Sequence, residues 1–257
     1  MGLLAEILAQ KHSELASLRA RSLPAPPERR AVSLGRAANA GRLSLITELK
    51  RRSPSAGALS TALSIAERAA AYERAGAAML SVLCDAHFFD GDYQHLLEAR
   101  AATQLPLLCK EFVIDESQLD AARAFGADAV LLVVRCLTPE RVPELIREAQ
   151  RRQLVPFVEV MTEDELSLAL DGGAELIGVN ARDLDTLIMD AARAARVLSA
   201  IPDHVVRVRL SGLSKPDDVR RIRQSGADAA LVGEALMRQD DPEPLLRSLA
   251  EAAREPL

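Results

Sequence analysis

The chain has 257 residues, of which 49% are hydrophobic, and it carries a formal net charge of -5 at pH 7. Basic and acidic residues are mixed along the chain, which argues against a nucleic-acid partner, because affinity for a phosphate backbone needs clustered Lys and Arg. No apolar stretch approaches the roughly 20 residues that span a bilayer, so we expect no membrane partner and a cytoplasmic location.

The first 42 residues precede any strand-like segment. Residues 1–18 alternate apolar and charged side chains with a helical period, and they lack the long apolar run of a secretory signal. A Pro-rich piece, residues 23–27, ends the helical pattern. We therefore predict an N-terminal helical extension over residues 1–42 and one large domain over residues 43–257.

Beyond residue 43, short β-rich runs alternate with longer amphipathic segments. The predicted strands cover residues 45–50, 79–83, 106–110, 129–134, 155–160, 176–180, 205–210 and 229–232. The predicted helices cover residues 63–75, 93–102, 116–124, 139–151, 163–170, 191–198, 216–224 and 242–253. Four of these helices end in Gly followed by Ala, a pattern in which the Gly stops the helix in the left-handed conformation.

This alternation decides the fold class. Regular strand–helix repeats require a parallel sheet, and eight of them close most naturally into a barrel. An open doubly wound sheet is the alternative, but it normally carries a Gly-rich dinucleotide loop after its first strand, and this chain has none. The prediction is therefore an α/β fold, a (β/α)8 TIM barrel with an N-terminal helical extension.

The end of the first predicted strand combines an acid, a base and a loop suited to an anion. Glu48 and Lys50 stand two residues apart, so their side chains project to the same side of the strand. Residues 53–57, which include Ser53 and Ser55, supply hydroxyl groups and backbone N–H groups that can hold a phosphate. An exposed, charged strand end that runs into a turn is the alternative for this segment taken alone.

The barrel prediction brings further polar residues to the same place, because chemistry in this fold sits at the C-terminal ends of the strands. Small residues follow the last two strands, where barrels often bind phosphate; at these positions a tight turn is the alternative. Each charge could be a solvated loop residue, but together they indicate a site. The residues at these strand ends are Glu48, Lys50, Cys84, Asp85, Lys110, Glu111, Arg135, Glu159, Asn180, Arg182, Ser211, Gly212, Gly233 and Glu234.

Cysteine and histidine give no sign of a metal site. Cys84, Cys109 and Cys136 are odd in number and lie in or beside apolar runs, which predicts buried, reduced thiols. No Cys/His cluster has the spacing of metal ligands. His87, in a loop with two Phe residues, and His95 are expected to pack rather than to catalyse. We predict neither a metal nor a cofactor.

Taken together, these segments resemble the indole-3-glycerol-phosphate synthase family over about the whole chain, including the helical extension. The matching pieces are Glu48-Leu-Lys50 with Ser53-Pro54-Ser55, Ser81-Val82-Leu83, His87-Phe88-Phe89, Leu107-Leu-Cys-Lys110-Glu-Phe112, Ala127-Asp128-Ala129, Val158-Glu159-Val160, Gly178-Val-Asn180-Ala-Arg182-Asp-Leu184, Ser211-Gly212 and Leu231-Val-Gly233-Glu234-Ala-Leu-Met237. The resemblance implies cyclisation of 1-(2-carboxyphenylamino)-1-deoxyribulose 5-phosphate to indole-3-glycerol phosphate, with loss of CO2 and water and without a cofactor. The implied partner is therefore a phosphorylated small molecule, and the expected assembly is a monomer or a weak homodimer.

The resemblance also implies roles for individual residues. Lys110 would donate a proton to the ketone oxygen during ring closure, and Lys50 would pair with the substrate carboxylate before decarboxylation. Glu159 would transfer the proton in the dehydration, in which Lys50 could also take part, while Glu48 would orient Lys50 or the intermediates. Asn180 and Arg182 would position the sugar hydroxyls and anionic groups. The phosphate would be held by Ser53, Ser211, Gly212, Gly233 and the backbone at Glu234.

Some positions depart from the usual pattern of this family. The seventh strand usually ends in Ser-Glu-Ser-Gly, whereas this chain has Arg209-Leu210-Ser211-Gly212. Leu210 removes a charge from the substrate-binding site and Arg209 is expected to bring a cation in, so turnover could be slow or the substrate altered. Two alternatives stay open: a paralogue from specialised metabolism with a modified aryl substrate, and a weakened homologue that binds a phosphorylated ligand. The other departures, which look tolerable or less decisive, are Ala56, Cys84, Glu111 and the stretch Leu187-Ile188-Met189.

Overall fold

A computed structural model of the protein describes residues 2–35, 41–53 and 57–255. Eight parallel strands form a closed barrel, in which each strand pairs with its neighbours along the chain and the last pairs with the first. The barrel strands are β1 (Ser44–Leu49), β2 (Met79–Leu83), β3 (Leu107–Lys110), β4 (Ala129–Val133), β5 (Val155–Val160), β6 (Leu176–Val179), β7 (Val206–Arg209) and β8 (Ala229–Val232). The predicted fold class is confirmed, and the strand ends differ from the prediction by at most one residue.

One long helix precedes the barrel and others connect its strands. The longer helices are α1 (Leu3–Ala20), α2 (Ile65–Arg74), α3 (Gln94–Ala102), α4 (Glu116–Ala124), α5 (Arg141–Arg151), α6 (Glu163–Asp171), α7 (Ala191–Ala200), α8 (Pro216–Gln224) and α9 (Glu243–Arg254). Shorter elements are the helices Ala86–Phe89 and Glu234–Met237, the 3-10 turn Val134–Cys136 and the paired strands Arg52–Ser53 and Gly57–Ala58. No described helix is long and apolar enough to cross a membrane.

The alternation of side chains along each strand separates two apolar layers. Ile46, Leu108, Phe157 and Val208 belong to a buried cluster inside the barrel. Chain neighbours of the first three, Leu45, Cys109 and Val158, pack in the larger cluster between the barrel and the helices. Because side chains alternate along a strand, the residue two positions beyond each interior residue also points inward, nearer the open end. The strands thus place a polar layer directly above an apolar plug.

Two local predictions about helix ends and thiols are confirmed. The glycines that end four helices have left-handed backbones, with φ of 98° at Gly76, 98° at Gly126, 82° at Gly173 and 87° at Gly226. Such a conformation is easy for Gly and unfavourable for residues with a Cβ. The three cysteines are buried free thiols.

Candidate active site

A cavity of about 860 Å³ opens at the C-terminal end of the barrel. The twelve residues predicted to catalyse or to bind the substrate all line this cavity: Glu48, Lys50, Ser53, Lys110, Glu159, Asn180, Arg182, Leu210, Ser211, Gly212, Gly233 and Glu234. Ser55 and Ala56, to which the sequence also pointed, lie outside the described residues. The structure thus places the candidates together, and their chemical roles stay predictions.

The acid and base at the end of β1 form a direct ion pair. Glu48 Oε2 lies 2.6 Å from Lys50 Nζ, as expected for two residues on one side of a strand. The Glu48 side chain is 2% exposed. Burial alone would raise the pKa of Glu48, but the Coulombic attraction of Lys50 and Lys110 outweighs it, so the pKa is lowered from its ordinary value. Glu48 is therefore a buried, ionised carboxylate at neutral pH.

Lys110, the last residue of β3, stands between two carboxylates. Its Nζ is 3.9 Å from Glu48 Oε1 and 3.9 Å from Glu159 Oε2. Glu159 is buried on β5, and its Oε1 accepts a hydrogen bond from Asn180 Nδ2 at 2.9 Å. Neither carboxylate is close enough to hold the ammonium rigidly, so Lys110 can turn toward a bound molecule.

The loop after β7, one of the two loops predicted to hold a phosphate, contacts the loop after β6. The Asn180 side-chain oxygen accepts the N–H of Arg182 at 3.0 Å, and the Ser211 hydroxyl accepts the N–H of Ala181 at 3.1 Å. Gly212 has φ of +83°, a left-handed conformation that turns the backbone after Ser211. The Ser211–Ala181 hydrogen bond ties the two loops together, and the phosphate seat expected there stays a prediction.

Gly233 lies against Glu48 rather than merely making a turn. A Cβ at position 233 would come 2.4 Å from Glu48 Oε2 and 3.1 Å from Glu48 Cβ. The absence of a side chain at this position therefore leaves room for the carboxylate that pairs with Lys50. This function is additional to the predicted contact with phosphate.

Gly233→Ala is expected to displace the Glu48 carboxylate and to lower kcat by about tenfold or more, since small misplacements of catalytic groups are costly. Steady-state kinetics would measure the effect. Gly35→Ala is the matched control, because a Cβ there meets only Val206 Cγ2, at the ordinary distance of 3.7 Å. An unchanged kcat in Gly233→Ala would show that the position of Glu48 does not limit turnover.

Comparison with known proteins gives the family. The family model for indole-3-glycerol phosphate synthase matches residues 4–249. The chain belongs to this family. An indole-3-glycerol phosphate synthase from Kineococcus radiotolerans is 45% identical over 212 residues, covering 82% of this chain and 77% of the relative. Indole-3-glycerol phosphate synthase 1 of Streptomyces coelicolor is 42% identical, in an alignment that covers 100% of this chain and 97% of the relative.

Solved structures with lower identity share the fold. A 3-hexulose-6-phosphate synthase aligns with a TM-score of 0.63 at 17% identity, covering 82% of this chain and 99% of that protein. The thiamine phosphate pyrophosphorylase of Pyrococcus furiosus aligns with a TM-score of 0.61 at 16% identity, covering 83% and 96%. At such identities the likeness shows a common barrel and nothing about substrates.

Three departures from the usual synthase pattern line the cavity, Leu210, Glu111 and Leu187, and of these Leu210 replaces a charge by an apolar side chain. It is 8% exposed and packs in the apolar cluster inside the barrel with Phe157, Leu131 and Leu231. Position 210 points inward because it stands two residues beyond Val208. The wall that usually carries a carboxylate in synthases is therefore hydrophobic here.

The expectation that Arg209 brings a cation into the synthase site is wrong. Arg209 is not among the residues that line the cavity, and its Nε donates to the backbone oxygen of Ser211 at 3.2 Å. Its neighbours Val208 and Leu210 point into the barrel, so alternation directs Arg209 outward. Burial there lowers the pKa of its guanidinium.

Two other strand-end charges serve the loops rather than the cavity. Arg135 pairs with Glu165 at 3.2 Å and with Asp183 at 3.3 Å, which joins the turn after β4 to the start of α6 and to the loop after β6. Asp85 is fully buried and contacts the helix α1. Sequence position alone could not separate these residues from those that face the cavity.

Helix α1 also contributes to the synthase site, which was not predicted from the sequence. Leu3 and Ile7 of this helix line the cavity, as do Phe89 and Phe112 from the loops after β2 and β3. Lys11, one turn beyond Ile7, is also buried. The spacing of four residues between Ile7 and Lys11 places them on one helix face, which was the available signal.

Proposed function

We propose that this chain is an active carboxy-lyase of the synthase type. It would cyclise 1-(2-carboxyphenylamino)-1-deoxyribulose 5-phosphate to indole-3-glycerol phosphate, CO2 and water, without metal or cofactor. The observation that carries the proposal is the position of Lys110 Nζ, 3.9 Å from both Glu48 and Glu159 in one cavity. Binding a phosphate needs no such set of proton-transfer groups, whereas ring closure followed by dehydration does.

The proposed steps divide among the charged groups. Ring closure makes an aromatic carbon attack the ketone, and Lys110 donates a proton to the ketone oxygen. Lys50, oriented by Glu48, pairs with the substrate carboxylate until CO2 leaves. Glu159 then moves the proton in the loss of water. The remote phosphate, held near Gly212, supplies binding energy that orients the reacting carbons.

The test is conversion of this substrate by the purified protein in the presence of a chelator. We expect the indole product, followed by its fluorescence, and CO2 to form in equal amounts, at a rate independent of added metal. Substrate that binds without conversion at high protein concentration would contradict the proposal.

We further propose a catalytic barrel over residues 43–257 with an extension over residues 1–42, acting in the cytoplasm as a monomer or weak homodimer. Fractionation and sedimentation would check the last two statements.

Leu210 favours a second candidate, a synthase-like enzyme for a modified aryl ring. Its side chain extends the apolar wall of Leu131 and Leu231, where a ring substituent could be buried. Substituted substrates compared with the unsubstituted one would separate the two functions. A higher kcat/KM for an apolar ring substituent supports the second candidate. A large gain in kcat from Leu210→Glu on the unsubstituted substrate would indicate a weakened ordinary synthase.

A further inference from the structure

Helix α1 is attached to several loops at the open end of the barrel. Near its start, the N–H of Leu4 donates to Asp185 Oδ1 in the loop after β6, at 3.0 Å. Ile7 lines the main cavity. Near its end, Arg19 pairs with Asp115 after β3, at 2.5 Å. The helix is therefore attached to loops of the barrel near both of its ends, and its first two turns line the cavity.

The central attachment is a buried lysine. Lys11 is 1% exposed, and its Nζ lies 2.7 Å from Asp85 Oδ2, 2.7 Å from Glu14 Oε2 and 3.2 Å from Glu111 Oε1. Burying an ammonium is costly unless it is paired. Burial alone would lower the pKa of Lys11, but Glu111 and Asp85 raise it above its ordinary value, so the group stays charged.

Asp85 connects this lysine to an aromatic loop. While Asp85 Oδ2 contacts Lys11, Asp85 Oδ1 accepts the N–H of Phe88 at 2.6 Å and caps the short helix Ala86–Phe89. Phe89, at the end of that helix, lines the cavity. The centroids of the Phe89 and Phe112 rings are 6.2 Å apart. The position of Asp85 thus determines where Phe89 lies in the cavity wall.

Glu111 connects Lys11 to the end of β3, where Lys110 lies. It directly follows Lys110, is 4% exposed, and accepts the N–H of Phe112 at 2.7 Å. Burial raises the pKa of Glu111 to about 7, with Lys11 opposing that rise and Asp85 adding to it. Without Lys11, two buried carboxylates would face each other beside the residue proposed as proton donor.

We propose that Lys11 is a positioning residue for Lys110, because it holds Asp85 and Glu111 together at the ends of two neighbouring strands. Lys11 lies outside the residues that line the main cavity, so it acts through these carboxylates and does not meet the substrate. The inference rests on the proposed role of Lys110. Helix α1 would then contribute to the proposed reaction and not only to the stability of the folded protein.

The test is a double-mutant cycle between Lys11→Met and Glu111→Gln. Lys11→Met is expected to lower kcat by about 100-fold, the cost of misplacing a catalytic group by about 1 Å, with KM nearly unchanged. In the Glu111→Gln background the same change is expected to have little effect, because the group through which Lys11 acts is already altered. Arg19→Met is the control: it cuts an exposed ion pair of the same helix and should leave kcat unchanged.

Thermal unfolding and NMR of the lysine side chains separate positioning from stability. The chain has four lysines, at positions 11, 50, 110 and 215, so the Lys110 signal can be assigned by substitution. We expect Lys11→Met to shift the Lys110 signal and leave Lys215 unmoved, whether or not the protein turns over the proposed substrate. A lower melting temperature with unchanged kcat and an unchanged Lys110 signal would overturn the inference. If Lys11→Met fails to fold, Glu111→Gln decides: an unchanged kcat and Lys110 signal there would also overturn it.

Discussion

Lys110→Met is expected to stop ring closure, lowering kcat by about 1,000-fold, within the range that general acid catalysis contributes. Methionine keeps the length of the side chain and removes the proton that the ketone oxygen needs. Lys50 cannot replace it, because the Lys50 ammonium is held 2.6 Å from Glu48. A factor of this size corresponds to about 4 kcal/mol of transition-state stabilisation.

Single-turnover measurement should show which step is lost in Lys110→Met. Neither CO2 nor indole should form from bound substrate, since decarboxylation follows ring closure. Binding should persist, because the predicted phosphate seat around Gly212 lies on other strands. Lys215→Met is the matched control on an exposed lysine that does not line the cavity. Normal release of CO2 by Lys110→Met would remove Lys110 from ring closure.

The fold and the catalytic layer were predictable because both follow from local periodicity. Strand–helix alternation predicted the closed barrel. The two-residue repeat that places Ile46 in the apolar cluster inside the barrel also places Glu48 and Lys50 nearer the open end, in the cavity. The same repeat links Leu108 with Lys110. Since parallel strands share one end, residues far apart in sequence converge without any knowledge of their distances.

The direction of Arg209 was already contained in the sequence: it ends β7, and the alternation that points Val208 and Leu210 inward turns Arg209 outward. What the sequence could not provide is how residues beyond the strands pair with distant parts of the chain. Asp85 looked like a cavity residue but binds Lys11, whose partners come from 74 and 100 positions further along the chain. Such pairings depend on how α1 docks on the barrel, and no local pattern encodes that docking.

Glu159→Gln is expected to interrupt the reaction at a later point than Lys110→Met. The amide can still accept the hydrogen bond that Asn180 gives to Glu159 Oε1 at 2.9 Å, so the geometry of the site should survive. It cannot accept or return a proton, so the loss of water should slow by about 100- to 10,000-fold. The ring-closed, decarboxylated alcohol should then accumulate.

The expected signature of Glu159→Gln is one equivalent of CO2 released without indole in a single turnover, measured with carboxyl-labelled substrate. Glu163→Gln is the control, because Glu163 is an exposed residue at the start of α6 outside the cavity. Loss of CO2 release together with indole would place Glu159 before decarboxylation and would make it a partner of Lys110 in ring closure. If the variant and the parent form indole at equal rates, another group carries the proton in the loss of water. Lys50, which is paired with Glu48, would be the next candidate.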